Sequence, residues 1–520
     1  MNRARLKCLY LIAAPLLVAS SAYAQSSAST VVQTDSGTVR GVAKAGVISW
    51  KGIPFAAPPV GKLRWRVPQP AVPWTGARDA TQFGPACMQT DDIPKSEDCL
   101  TLNVWKPSVA SGPLPVMVWI YGGAMVHGNT AQYPGDPLAA QGVIVVSMNY
   151  RMGRLGFFAH PALAAEAPND VRGNYGYMDQ LAALKWVQRN IAAFGGDPKQ
   201  VTIFGESAGG GSVMSHLESP MSRGLFARAI FQSPGTPGAR AKEIPTSDLT
   251  AAEQMAVSWA RSVGVTGEGT AALEQLRALP AEKLLEGASV KETLAALAAH
   301  TTPPGMAMSI LDGKFLTERP EQALAAGHMA PVPTMIGAND RDLSLGTAKD
   351  KDELFASFGA KAAQARSLYD PQGNQTLDEL KQQIFADRTM IEPVRHFANE
   401  MARAGNSVWV YRFAYVSEAQ RGQLMGTIHG FEIPFTLDLP AAIVKDKVTA
   451  NDEQMAAITS AYWAQFGKTG DPNGGGNPEW PRYDPAVNRI VHFTNSGVIV
   501  GTDPLKQRLD LVQSGYSPEK

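Results

Sequence analysis

Five consecutive residues constrain this chain more than any other feature: Gly205-Glu206-Ser207-Ala208-Gly209, a G-x-S-x-G pattern. An apolar stretch at 201–205 precedes it, and a stretch of helical character at 211–217 follows. A chain that passes from strand to helix across one residue must turn sharply, and the two glycines leave room for that turn. The serine then projects its hydroxyl above the end of the strand. Two backbone consequences follow. The amide of Ala208 points toward a carbonyl under attack at Ser207, and the helix sets its positive end beneath the developing oxyanion. The pattern alone recurs by chance; the strand before it and the helix after it give it weight.

The rest of the chain supplies a frame for such a turn. Residues 114–121 (LPVMVWIY) and 142–149 (GVIVVSMN) are continuous apolar runs, which suit strands of a sheet covered on both faces. Residues 174–194 carry an apolar stripe at helical spacing and stop at Gly195-Gly196-Asp197-Pro198. Strands at 201–205 and 227–232 flank the helix at 211–217, giving the rhythm of a doubly wound sheet. Near the N-terminus, 31–50 alternates around Gly37 and Gly41 and reads as a β-hairpin. Beyond Pro234 the texture changes to helical stretches at 244–300, 351–369 and 378–404, with strands at 331–337 and 408–414. These helices read as insertions, at about 240–330 and 345–405, stacked over the C-terminal edge of the sheet. No internal repeat or low-complexity linker divides the chain, so residues 25–520 are expected to form one composite domain.

Residues 1–24 stand apart. Arg3, Arg5 and Lys7 precede an apolar stretch at 9–18, and Ala22-Tyr23-Ala24 offers a small-residue cleavage site before Gln25. This is the layout of a secretory signal peptide. Its apolar run is shorter than the roughly 20 residues that span a bilayer, and Cys8 lies before that run, not after it as in a lipoprotein. Export to the periplasm or the medium is expected, with no stable membrane anchor. The whole chain carries 47 Lys plus Arg against 47 Asp plus Glu. Loss of the three basic leader residues leaves 44 against 47, or −3, which gives no attraction to nucleic acid. Cleavage also reduces three cysteines to Cys87 and Cys99, an even pair that in an oxidising compartment argues for one disulfide closing a short loop. No Cys/His cluster supplies zinc ligands, and no metal or organic cofactor is expected.

A serine hydroxyl is a weak nucleophile near neutral pH; it needs a base, and the base needs an orienting acid. In folds with this elbow the chain order is serine, acid, histidine. His300, His328, His396, His429 and His492 lie far enough beyond Ser207. His429 sits in a loop-like segment, where catalytic histidines belong; His396 falls in a helical run and His492 in a terminal strand. The acid should follow a strand, and Asp340 and Asp342 both follow the one ending near Gly337. Either carboxylate could reach an imidazole Nδ1.

Several separated motifs together resemble the type-B carboxylesterases, the group that includes the cholinesterases and bacterial para-nitrobenzyl esterases. They are Gly52-Ile53-Pro54-Phe55-Ala56 with Leu63-Arg64-Trp65, and Ser96-Glu97-Asp98-Cys99-Leu100-Thr101-Leu102-Asn103. Tyr121-Gly122-Gly123, Asn149-Tyr150-Arg151, Gly195-Gly196-Asp197-Pro198, the elbow, and His429-Gly430 with Glu432 and Pro434-Phe435 follow in order. The resemblance covers nearly the whole chain after the leader. It implies an α/β-hydrolase fold: a large, mostly parallel central sheet flanked by helices, with helical insertions over the active site.

The same resemblance implies a Cys87–Cys99 bridge, Ser207 as acyl-enzyme nucleophile, His429 as general base, and an oxyanion hole of the Gly123, Ala124 and Ala208 amides. The family often has a third glycine where this chain has Ala124-Met125, so the hole depends on backbone angles that a non-glycine residue tolerates. At the acid position Arg341-Asp342-Leu343 replaces the family's usual Asp-Glu-Gly, which favours Asp342 over Asp340. Asp is one methylene shorter, so its loop must approach His429 more closely. Glu206 is expected to tune the electrostatics around the nucleophile or to anchor the elbow, and Ser233 to lie beside the triad. The expected activity is hydrolysis of a small-molecule carboxylic ester; an amidase or acyltransferase on the same triad, or a non-catalytic scaffold, are the alternatives. Neither the natural substrate nor the oligomeric state is legible.

Overall fold

The computed structural model describes residues 29–234, 247–299, 301–306, 308–344 and 346–515. Residues 1–24, expected to be a signal peptide, and His300 therefore lie outside the described residues.

Eleven strands form the main sheet. In chain order they are β1 (Val42–Lys44), β2 (Val47–Pro54), β3 (Thr101–Pro107), β4 (Leu114–Ile120), β5 (Ile144–Met148) and β6 (Gly196–Glu206). Then come β7 (Arg228–Gln232), β8 (Thr334–Asn339), β9 (Val408–Ala414), β10 (Arg489–Thr494) and β11 (Gly497–Thr502). Across the sheet the order is β1-β2-β3-β5-β4-β6-β7-β8-β9-β10-β11. Six parallel pairings join β5 through β10, and antiparallel strands close both edges. The apolar runs explain the middle: every residue of β5, and the last five of β4, are buried. Strands with helices on both faces have no polar side to alternate with.

Helices Tyr175–Asn190 (α1), Ala208–Glu218 (α2), Glu392–Arg403 (α3) and Ala450–Thr469 (α4) pack against the sheet strands. Gly195 ends the turn after α1 in the left-handed region, at φ 87°. Met117 of β4 meets Gly467 of α4 so closely that a Cβ there would lie 2.7 Å from its sulfur.

The alternation at 31–50 is two hairpins rather than one. Val31–Gln33 pairs with Thr38–Arg40 in a small separate sheet that also takes Ala77–Asp79, while β1 and β2 turn about Ala45-Gly46 and join the main sheet. Of the helical stretches after Pro234, those at Leu249–Ser262 and Thr270–Ala278 pack with Trp65, Leu155 and Phe158 in a core of their own. The last stretch ends in α3, which instead lies on β8 and β9, with Phe397 against Phe231 of β7. Cys87 and Cys99 are disulfide-bonded with Cα atoms 5.0 Å apart.

Candidate active site

The elbow stands where β6, the central strand, gives way to α2. Ser207 takes φ 55° and ψ −126°, a strained conformation for a residue with a side chain. Its neighbours explain why glycine surrounds it. A Cβ on Gly209 would lie 2.0 Å from the Ile120 carbonyl oxygen, and one on Gly205 2.6 Å from the same atom. The backbone of the elbow thus presses directly on the end of β4. The Ser207 amide donates to Gln232 O at 2.9 Å, and Gly211 donates to Ser207 O at 2.9 Å, so the strained residue is held from both sides.

Three side chains from distant parts of the chain meet above this turn. Ser207 Oγ lies 2.7 Å from His429 Nε2, and His429 Nδ1 lies 2.5 Å from Asp342 Oδ1. An ionised Asp can only accept, so Nδ1 carries the imidazole proton and Nε2 is left to accept from the serine hydroxyl. Asp342 is fully enclosed, and its oxygens are well supplied with donors. Oδ2 accepts from the Ser233 hydroxyl at 2.6 Å and from Asn339 N at 2.9 Å, and Oδ1 accepts from Leu343 N at 2.8 Å. Burial pushes its pKa up, but His429 and these donors outweigh burial and hold it below the ordinary carboxylate range.

Asp340 does something else. Its Oδ1 accepts from Thr427 N at 2.8 Å, while Arg341 N donates to Thr427 O at 3.1 Å. These bonds fasten the histidine-bearing loop to the end of β8, two residues before His429. The acid loop needs no glycine: no residue from 340 to 343 has a positive φ. The remaining histidines are elsewhere. His328 is exposed and 2.8 Å from Glu318, His396 is on α3, and His492 is on β10 near Asp503.

Two further carboxyls crowd the imidazole. Glu206 Oε1 stands 3.4 Å from His429 Nε2, and that oxygen makes no hydrogen bond. Glu432 accepts from Asn339 Nδ2 at 2.6 Å and from Gln232 Nε2 at 3.5 Å; Gln232 is in turn held by Trp463 Nε1 at 3.0 Å. Burial pushes both glutamates' pKa values up, and the mutual repulsion of neighbouring carboxylates adds to it, against the pull of His429. For His429 burial acts downward, but the Glu206 and Asp342 carboxylates outweigh it and raise the imidazole. A proton on Glu206 removes part of that support and favours the neutral imidazole. Sequence reasoning passed over Asn339 and Gln232. Their one signal was a polar residue at the buried end of an apolar strand.

The loop after β4 lies against the serine. A Cβ on Gly122 would be 2.9 Å from Ser207 Cβ. Gly123 O accepts from Val126 N at 3.0 Å, closing a turn whose central residues Ala124 and Met125 have φ 54° and 59°. Both positions favour glycine, and two side-chain-bearing residues there cost about 1–2 kcal/mol each. Among the described residues, the amides of Gly123, Ala124 and Ala208 donate to no protein acceptor.

The strand order, with a serine at the elbow of its central strand, is that of an α/β hydrolase. The carboxylesterase family model matches residues 28–512, and the chain belongs to that family. It is 36% identical to the fumonisin B1 esterase of Sphingopyxis macrogoltabida, over 92% of this chain and 89% of that protein. It is 35% identical to the para-nitrobenzyl esterase of Bacillus subtilis (strain 168), over 92% and 97%. A cocaine esterase of Oryctolagus cuniculus is 34% identical over 88% and 91%. A solved PNB esterase structure superposes with a TM-score of 0.78 at 32% identity, covering 93% of this chain and 99% of that one. The chain is a carboxylic ester hydrolase.

Proposed function

We propose that this hydrolase cleaves its ester through an acyl-enzyme on Ser207, with His429 as general base and acid and Asp342 as the orienting carboxylate. The observation that carries this reading is the unbroken hydrogen-bonded chain, 2.7 Å and 2.5 Å, from Ser207 Oγ through the imidazole to Asp342. His429 Nε2 takes the serine proton as Oγ attacks the carbonyl carbon. The oxyanion is received by the amides of Gly123, Ala124 and Ala208, which among the described residues have no protein acceptor of their own. The imidazolium then protonates the leaving alcohol, Asp342 stabilising its charge. Water repeats the sequence on the acyl-enzyme, releasing the acid and restoring Ser207. No step calls on a metal or cofactor.

Relatives named for fumonisin B1, para-nitrobenzyl esters and cocaine share this chain's family. We infer that residues 25–520 form one hydrolase domain and that its helical insertions, at about 240–330 and 345–405, set which ester enters. Export is part of the same proposal. The basic, apolar and small-residue segments of 1–24 support it, as does a disulfide between Cys87 and Cys99, and N-terminal sequencing of the mature protein should begin at Gln25.

The test is initial rates on p-nitrophenyl acetate, butyrate and octanoate, wild type beside Ser207→Ala, with fluorophosphonate labelling. Loss of several orders of magnitude and of label in the variant supports the nucleophile. A folded Ser207→Ala enzyme that keeps its rate overturns it, and turnover of amides in preference to esters would reassign the reaction.

A further inference from the structure

The turn at Gly123–Val126 holds two non-glycine residues in left-handed conformations, and it relaxes unless something outside it fixes its ends. One anchor comes from beyond β5: Gly153 N donates to Met125 O at 2.7 Å. The other comes from the disulfide-closed segment 87–99. Gln89, only 1% exposed, uses its carboxamide as a strand edge would. Its Oε1 accepts from Gly128 N at 3.0 Å, and its Nε2 donates to Gly128 O at 3.0 Å and to Cys87 O at 3.1 Å. Gly128 is itself at φ 118°, where a Cβ would strike the Tyr121 ring at 2.6 Å. Two residues further along the same segment, Asp91 pairs with the His127 imidazole. The His127 carbonyl, in turn, closes on Gly123, where a Cβ would lie 2.2 Å from its oxygen. The backbone from Gly123 to Gly128 is therefore clamped from one side by residues of a loop that a covalent bond closes.

We propose that the Cys87–Cys99 segment is the brace of the oxyanion loop, with Gln89 as a positioning residue that holds the Gly123 and Ala124 amides in their catalytic orientation. The inference rests on the reading that those amides receive the oxyanion. Gln89 touches no reacting atom. Its effect passes through Gly128 and the tight turn before it, and it is felt only when charge develops on the carbonyl oxygen. Ground-state binding of the ester should barely register it.

The experiment compares wild type, Gln89→Leu and Ser207→Ala by kcat and KM on p-nitrophenyl butyrate. It adds the affinity of wild type and Gln89→Leu for a trifluoromethyl ketone, whose adduct with the serine places an oxyanion in the hole. Gln89→Leu should lower kcat between about tenfold and about a hundredfold, with KM within about twofold, and should weaken the ketone in the same proportion. A purely structural glutamine would lower the melting temperature and leave the ratio of ketone affinity to KM unchanged; that result overturns the proposal. Where Gln89→Leu fails to fold, wild type reduced with a phosphine and alkylated is the second arm. A parallel fall in kcat and ketone affinity supports the brace, and unchanged constants in the folded, reduced enzyme overturn it. Activity surviving in Ser207→Ala would instead sink the nucleophile assignment, a failure distinct from that of the brace.

Discussion

Glu206 Oε1 and Ser207 Oγ share one imidazole nitrogen: His429 Nε2 lies 2.7 Å from the hydroxyl and 3.4 Å from the carboxyl. Adjacent residues of the elbow thus present a hydroxyl and a carboxyl to the same imidazole. The carboxylate raises the imidazole's pKa, and the imidazolium, once formed, faces Glu206 as well as Asp342.

Glu206→Gln should therefore lower the pKa of His429. A lower pKa keeps the imidazole neutral, and able to accept the serine proton, at more acid pH. The acid limb of kcat/KM should move down by about one unit or more. Rates across pH, wild type beside variant, check it; a limb that stays in place removes Glu206 from the electrostatics of the base.

The two aspartates after β8 should separate cleanly. Asp342→Asn takes the carboxylate from His429 Nδ1 and should cost kcat on the order of 10⁴-fold. Asp340→Asn leaves that contact intact but loosens the bond to Thr427 N. It should change kcat by no more than about tenfold and cost about 1 kcal/mol of stability. Reversal of the two kinetic effects would move the acid to Asp340.

Two glycines two residues apart, one tightly pressed and one with room for a methyl, make a packing test. Gly209→Ala drives a methyl to 2.0 Å from Ile120 O and should yield no folded protein. Gly211, inside α2, would set its Cβ 3.4 Å from Pro234 O, an ordinary contact. Gly211→Ala should fold and gain about 0.5–1 kcal/mol from reduced backbone freedom. Soluble expression and denaturant titration report both.

Opening the Cys87–Cys99 loop, 12 residues in sequence separation, should cost stability apart from any kinetic effect. Chain entropy for a loop of this size gives about 3 kcal/mol. Cys87→Ser with Cys99→Ser should lower the denaturant midpoint accordingly, and an unchanged midpoint would mean that the reduced chain already holds the loop closed by its other contacts.

The sequence alone determined what is written in contiguous residues. The elbow and Ser207 are set in a short run whose geometry follows from its own residue types, and the buried strands announce themselves as apolar runs; His429 stood out among five histidines only through its loop-like setting and the family resemblance. Helix α4 does not, because it buries Thr459 and Ser460 among its apolar residues and so lacks a clean stripe. Which of Asp340 and Asp342 faces His429 was open from the residues themselves, since two carboxyls two residues apart on one loop are chemically alike, and only the family resemblance favoured Asp342. Tertiary structure decided it by where the loop leaves β8, turning one to His429 and the other to Thr427. The same holds for Gln89 and Gly128, 39 residues apart, and for Ser207 and His429, 222 apart. A hydrogen bond across such distances depends on how whole elements pack, and no local pattern of residues encodes its length or direction.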